Sequence, residues 1–441
     1  MRNQEFFCLL LYRKIKKKML QINFLRDNKQ EVIEKLKVKN FDASSIIDEV
    51  ITLDDNRKSI QQESDELLSR ANSIAKEIGV LFKEGKGTET NDLKEESAQI
   101  KEKTKSLQST LSDTEHQIWE KLVQIPNIPH FLVPNGKSDA DNETIKEVGE
   151  IPQLSDNKKP HWDLCSQYKL IDFELGNKIT GAGFPVYTNK GAKLQRSLIS
   201  YFLDKNIDDG YEEFQPTYMV NEDSAFGTGQ LPDKEGQMYH VTADNLYLIP
   251  TAEVPVTNFF RDEIINKEDF PIKCTAYTPC FRREAGSYGK DVRGLNRLHQ
   301  FDKVEIVQVQ HPKDSYETLD VMVNHVSSIL EELELPYRIL RLCGGDLSFT
   351  ASLTYDFEVY SAGQDRWLEV SSVSNFESYQ SNRLKLRYKD ENGKTQLCHT
   401  LNGSALALPR IFAALVENNQ TDNGIKIPKA LQEYTRFDII E

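Results

Sequence analysis

Between residues 46 and 125 apolar side chains recur every seventh residue, and this period limits what the chain can fold into more than any other feature. Ile46, Leu53, Ile60, Leu67, Ile74 and Leu81 share one phase; Val50, Ala71 and Ile78 fill part of a second, which Arg57 and Ser64 interrupt. Further on, Leu93, Ile100 and Leu107 share one phase and Leu111, Ile118 and Ile125 the other. Such a repeat paints an apolar stripe along one side of a helix, which buries itself against a second helix. Gly85-Lys86-Gly87 marks a turn, and Pro126 disfavours helix in the residue before it. The segment is expected to form two antiparallel helices of ~35 residues, a projecting arm on the order of 50 Å long. Its faces carry both charge signs and no basic stripe, so the period alone is mute about function.

At 441 residues the chain is long enough for two or three domains. Residues 19–45 are a short mixed segment leading into the arm, and 126–159 read as a Pro- and Asp-rich linker. From 160 to 441 strand-like and helix-like stretches alternate in irregular order. Residues 246–250, 301–309, 337–342 and 355–360 read as strands; 193–205, 314–333 and 405–418 read as helices. That order favours an α+β domain on an antiparallel sheet over a doubly wound one. No G-x-x-x-x-G-K-[ST] or helix-opening G-x-G-x-x-G occurs. A nucleotide would therefore be held by side chains and not by a glycine cradle.

The net charge of −14 excludes a general polyanion binder, so any RNA would meet local basic surface. Cys8, Cys165, Cys274, Cys280, Cys343 and Cys398 are scattered, without metal-ligand spacing. No zinc site is expected, and no disulfide framework; a reducing cytosol fits. No segment is long enough to cross a membrane. Residues 1–18 place an apolar run before a basic one, the reverse of a secretory signal, and read as an extension or a mis-assigned start before Met19.

Three segments carry chemistry. Phe281-Arg282-Arg283-Glu284-Ala285-Gly286, with Arg297-Leu298-His299-Gln300-Phe301 behind it, has the layout strand, charged loop, strand. An arginine held there can meet phosphate or carboxylate with two parallel hydrogen bonds. Thr251-Ala252-Glu253 follows a strand. Glu369-Val370-Ser371-Ser372 offers a carboxylate and a hydroxyl, a ligand pair suited to Mg²⁺ on ATP phosphates. Taken singly, the first also fits a solvated basic hairpin loop and the last a polar edge strand.

Together, in this order, these segments resemble class II aminoacyl-tRNA synthetases, and among them the bacterial-type seryl enzymes. The resemblance runs from Met19 to the C-terminus. LIPTAEVP (248–255), GTGQLP (227–232), AYTPCFRREAGSYGKDVRGLNRLHQFDKVE (276–305) and HTLNGSALALPR (399–410) carry it. It implies a class II antiparallel sheet flanked by helices, and a helical hairpin that lies against the long variable arm of tRNA(Ser). It leaves open tRNA(Sec) as a second acceptor. Gly210 to Pro216 resembles the first class II motif, which implies a homodimer.

The resemblance also implies roles. Arg282 would contact the ATP α-phosphate and the serine carboxylate, with Arg283, Glu284 and Leu298 beside the nucleotide. Phe301 and Arg410 would sandwich adenine, and Arg410 would reach the γ-phosphate. Glu369 and Ser372 would hold Mg²⁺-ATP, with Val370 and Ser371 between them. Thr251, Ala252, Glu253, Arg282, Glu305 and Ser404 would form the serine site, with Glu305 on the ammonium. The implied catalytic set is Arg282, Glu305 and Arg410. Where many members have glycine before the last arginine, this chain has Pro409, which the first turn of a helix tolerates. A carrier-protein ligase is disfavoured by the presence of the arm, and a non-catalytic scaffold by retention of all three catalytic residues. A threonyl- or prolyl-type enzyme is disfavoured because neither has this arrangement of arm and TAE segment.

Overall fold

The computed structural model describes residues 22–233, 235–284 and 293–441. The extension 1–18 and the middle of the charged loop, Ala285 to Val292, lie outside them. The chain divides into two compact units, one made of the residues up to Lys37 and Phe41–Pro126, the other of Val38–Asn40 and Asn127–Glu441.

The first unit contains α1 (Ile22–Asp27), α2 (Lys29–Leu36), α3 (Ser44–Lys83) and α4 (Asn91–Leu122). The hairpin forms as the heptads require, and α4 ends four residues before Pro126. Ile74, Ile100 and Ile118 are buried in its seam. Ion pairs Lys121–Glu49 (2.5 Å), Lys103–Glu63 (2.7 Å) and Arg70–Glu96 (2.7 Å) bridge the two helices in antiparallel register. At the base of α3 the seam departs from the expected phase. Ile47, Val50 and Asp54 are buried there, whereas Ile46 and Leu53 are half-exposed. The reason is that α1 packs on this end as well, and Arg26 of α1 reaches Asp54 at 3.0 Å. Arg57 (2.9 Å) and Lys58 (2.7 Å) complete the shell around that buried carboxylate.

The second unit is built on an eight-stranded sheet. In chain order its strands are β1 (Glu143–Val148), β2 (Glu212–Glu213), β3 (Ile272–Phe281), β4 (Gln300–Gln310), β5 (Tyr337–Arg341), β6 (Leu353–Ser361), β7 (Arg366–Asn375) and β8 (His399–Ala407). The spatial order is β1-β5-β6-β7-β8-β4-β3-β2. The structure adds two details. The edge pair β2–β3 is parallel, although every other neighbour is antiparallel. The 126–159 segment is not all linker, because its exposed residues 143–148 pair with β5 at the sheet's edge. An edge strand half in water needs little apolar content, so its composition reads as a connection.

Helices α5 (His161–Gln167), α6 (Asn189–Asp208), α7 (Ser315–Glu332) and α8 (Leu408–Asn418) belong to the same unit. Leu198 and Phe202 of α6, Met322 and Ile329 of α7, and Ile411 and Phe412 of α8 form one core with Val304, Ile306 and Val373 of the sheet. Strand side chains alternate in direction. Val304 and Ile306 therefore face that core, and Lys303 and Glu305 face the opposite side, where the chemistry gathers. Pro409 lies in the first turn of α8, as tolerated. Among the described residues no helix is long and apolar enough to cross a membrane.

Candidate active site

The register of the sheet places the residues that sequence could only enumerate. Glu305 of β4 lies directly opposite Ser404 of β8. Thr251 donates its hydroxyl to Glu305 Oε2 at 3.3 Å, and its Oγ1 accepts the backbone N–H of Glu253 at 3.2 Å. Gln380 donates to Glu253 Oε1 at 2.6 Å. Thr251, Glu253, Glu305 and Ser404, four of the six residues expected at the serine site, thus lie together in one pocket of hydrogen-bonded and strand-paired side chains. A fifth, Ala252, turns its methyl into a small cluster with Val256, Cys274 and Ala276, and the sixth, Arg282, follows the end of β3.

Two carboxylates in one buried site repel each other. Burial above all, and then the charge of Glu305, push the Glu253 carboxyl up to about 7, against the opposing pull of Gln380 and Lys303. A cation delivered here would relieve that repulsion.

Arg282 leaves the end of β3 with its backbone N–H on His299 O at 3.0 Å and its Nε on Pro250 O at 3.4 Å. Its guanidinium stands over the Phe301 ring, 5.2 Å from the centroid. Arginine and ring form the wall on which a planar base or carboxylate could stack. Arg410, in the first turn of α8, donates to Asn296 O (3.1 Å) and Glu369 O (2.8 Å), and lies 3.5 Å from Glu369 Oε2. Glu284 pairs with Arg297 at 3.1 Å, and Arg283 is exposed. Leu298 and Val370 point into the core and offer the site only their backbones. The Ser371 hydroxyl donates to Ser404 O at 2.6 Å, tying β7 to β8 beside that pocket.

Sequence reasoning passed over two residues. Lys303 is 6% exposed, with Nζ 2.6 Å from Glu305 Oε2. A lysine two positions before an acid reads as surface alternation until the face is known to be buried. Asp356 lies directly across from Ser372, and its Oδ1 is buried without a hydrogen-bond partner among the described residues. Burial, then the charge of Glu369, hold its carboxyl well above the usual range. Only the β6–β7 register reveals that it joins Glu369 and Ser372.

Comparison with known proteins gives the family. Residues 19–129 match the seryl-tRNA synthetase N-terminal domain, and 239–419 match the tRNA synthetase class II core domain (G, H, P, S and T). A serine--tRNA ligase of Salinibacter ruber is 48% identical over 421 residues, covering 95% of this chain and 98% of that protein. The chain belongs to the seryl-tRNA synthetase family. Among solved seryl-tRNA synthetases, that of Pyrococcus horikoshii complexed with ATP matches with a TM-score of 0.88 at 33% identity, over 96% of this chain and 99% of that one. The cytoplasmic serine-tRNA ligase of Naegleria fowleri in complex with AMP matches at 0.83 and 27%, over the same shares. Seryl-tRNA synthetase architecture therefore covers both units of the chain.

Proposed function

We propose that this synthetase activates L-serine with ATP to seryl-adenylate and pyrophosphate, then transfers serine to the 3′ end of tRNA(Ser). The observation that carries the serine step is the pocket of Glu253, Glu305, Thr251 and Ser404. It combines an excess of buried negative charge, fit for an ammonium, with hydroxyls fit for a small polar side chain. No general base is required, because the serine carboxylate is itself the nucleophile toward the α-phosphorus. The protein's task is positioning and charge neutralisation.

Arg282, stacked on Phe301, holds the reacting carboxylate and α-phosphate. Arg410 meets the departing pyrophosphate. Glu369, Ser372 and the orphaned Asp356 oxygen form an all-oxygen set suited to a hard cation, and they would hold Mg²⁺. Bound there, Mg²⁺ supplies charge neutralisation for the phosphates. The helical hairpin carries the tRNA, a reading supported by its length and by its match to the seryl-tRNA synthetase N-terminal domain. The 210–216 segment forms the homodimer contact, and the buried, unbridged cysteines Cys165, Cys274, Cys280, Cys343 and Cys398 suit a cytoplasmic enzyme. Rejection of alanine and glycine follows from buried polar groups left unpaired without the substrate hydroxyl.

The test is amino-acid-dependent ATP–pyrophosphate exchange with serine, threonine, alanine, glycine and proline. Exchange with serine alone is expected. Exchange with another amino acid would overturn the assignment of the pocket.

A further inference from the structure

Lys303 is unassigned in the reading above, and its position is unusual. It is a buried lysine on the same face of β4 as Glu305, two residues away, and it contacts no other carboxylate among the described residues. Its Nζ takes Glu305 Oε2 at 2.6 Å, the oxygen that also accepts from Thr251. Glu305 Oε1 has no hydrogen-bond partner among the described residues, yet it is not among the atoms sealed from solvent. One carboxylate oxygen is thus held by an ion pair and a hydrogen bond, and the other is left open toward the pocket. A carboxylate with one oxygen clamped loses its rotation about the terminal bond, so the free oxygen keeps a fixed direction. The pocket also holds Glu253, so Lys303 is the cation that offsets the second buried carboxylate.

We propose that Lys303 is a positioning residue for amino-acid recognition: it clamps Glu305 Oε2 and aims Oε1 at the substrate ammonium. This rests on the serine reading of the pocket. The substrate then adds its cation beside Lys303 without displacing it, and the two cations match the two carboxylates Glu253 and Glu305. The arrangement selects for amino acids over hydroxy acids, which would leave Oε1 without a partner.

The test is steady-state ATP–pyrophosphate exchange by K303M, K303Q and K303R beside the wild type. Both neutral variants are expected to raise the serine KM roughly tenfold or more, through the loss of one buried ion pair. The ATP KM and the rate at saturating serine are expected to stay near wild type. K303R, which keeps the charge, is expected to restore most of the serine KM. An unchanged serine KM in a folded neutral variant would overturn the proposal, as would equal rises in serine and ATP KM. If neither neutral variant folds, Lys303 is structural and the proposal falls. Failure of the wild type itself to activate serine would instead refute the serine reading.

Discussion

His161 and Glu417 form a fully buried pair, with Nδ1 2.7 Å from Oε1. The His161 Nε2 accepts the backbone N–H of Leu295 at 2.8 Å, so the ring proton sits on Nδ1 and is donated to Glu417. Gln364 donates to Glu417 at 3.1 Å and accepts from Asn296 at 3.0 Å. Asn296 O in turn accepts from Arg410. The segment leading into β4 is thereby pinned to α8, and Arg410 with it. Gly294 is required at the closest approach: its φ is +67°, and a Cβ there would lie 2.2 Å from His161 Nε2.

Removing one partner of this pair leaves buried polar groups unsatisfied. H161A is expected to lower stability by about 2–4 kcal/mol in urea denaturation. In the folded fraction its ATP KM is expected to rise more than its serine KM. Equal changes in the two constants would show that the pair does not act through Arg410.

Glu253 predicts a pH signature. Its carboxyl is raised in the folded state from 4.5 to about 7, so between those values the folded protein binds more protons than the unfolded chain. Stability contributed by this group is therefore present at acid pH and lost as pH rises through about 7. E253Q is expected to gain stability relative to wild type across that window, by on the order of 3 kcal/mol at most. Bound ammonium favours the charged carboxylate, so serine KM is expected to fall as pH rises from 6 to 8, and E253Q should flatten that slope. The groups facing Glu253 are Glu305, Lys303, Gln380 and Asn402. Parallel profiles in thermal melts and exchange assays would refute the assignment to Glu253.

The two halves of the reaction centre are expected to respond differently. E305A should lower kcat/KM for serine at least roughly a hundredfold, because the buried ammonium loses its partner. R282A should reduce exchange by about 10²–10³ through the chemical step, as loss of a charge-stabilising donor does. Near-normal serine constants in E305A would sink the pocket assignment.

The arm is expected to be dispensable for activation. Glu63 faces Lys103 across the hairpin at 2.7 Å, so excising residues 64–102 and closing the gap with a short Gly-Ser turn preserves the pairing below the cut. Pyrophosphate exchange should be retained and tRNA charging lost. Charging that survives the excision would mean that the arm is not the tRNA-binding element.

What could be read in advance was periodic or local. The seven-residue repeat determined the hairpin, its turn and its end near Pro126, because helix pairing depends on spacing along one chain. In the second unit β4, β5, β6, α6 and α7 followed from their patterns, whereas β7 and β8 did not, and residues 405–407, expected as helix, end β8; resemblance supplied the family and the expected site residues. The phase of the seam at Asp54 did not follow, because it depends on α1 packing from outside the repeat. Nor did the use of residues 143–148 as an edge strand, since that is decided by the partner strand β5. Lys303 and Asp356 were hidden for the same reason. Sequence gives the direction of a side chain along its own strand, but whether that face is buried, and what stands across from it, is set by the register of β4 against β8 and of β6 against β7. Lys303 neighbours Glu305 along its own strand and became a pocket residue once that face was buried, while the β6–β7 pairing alone put Asp356 across from Ser372.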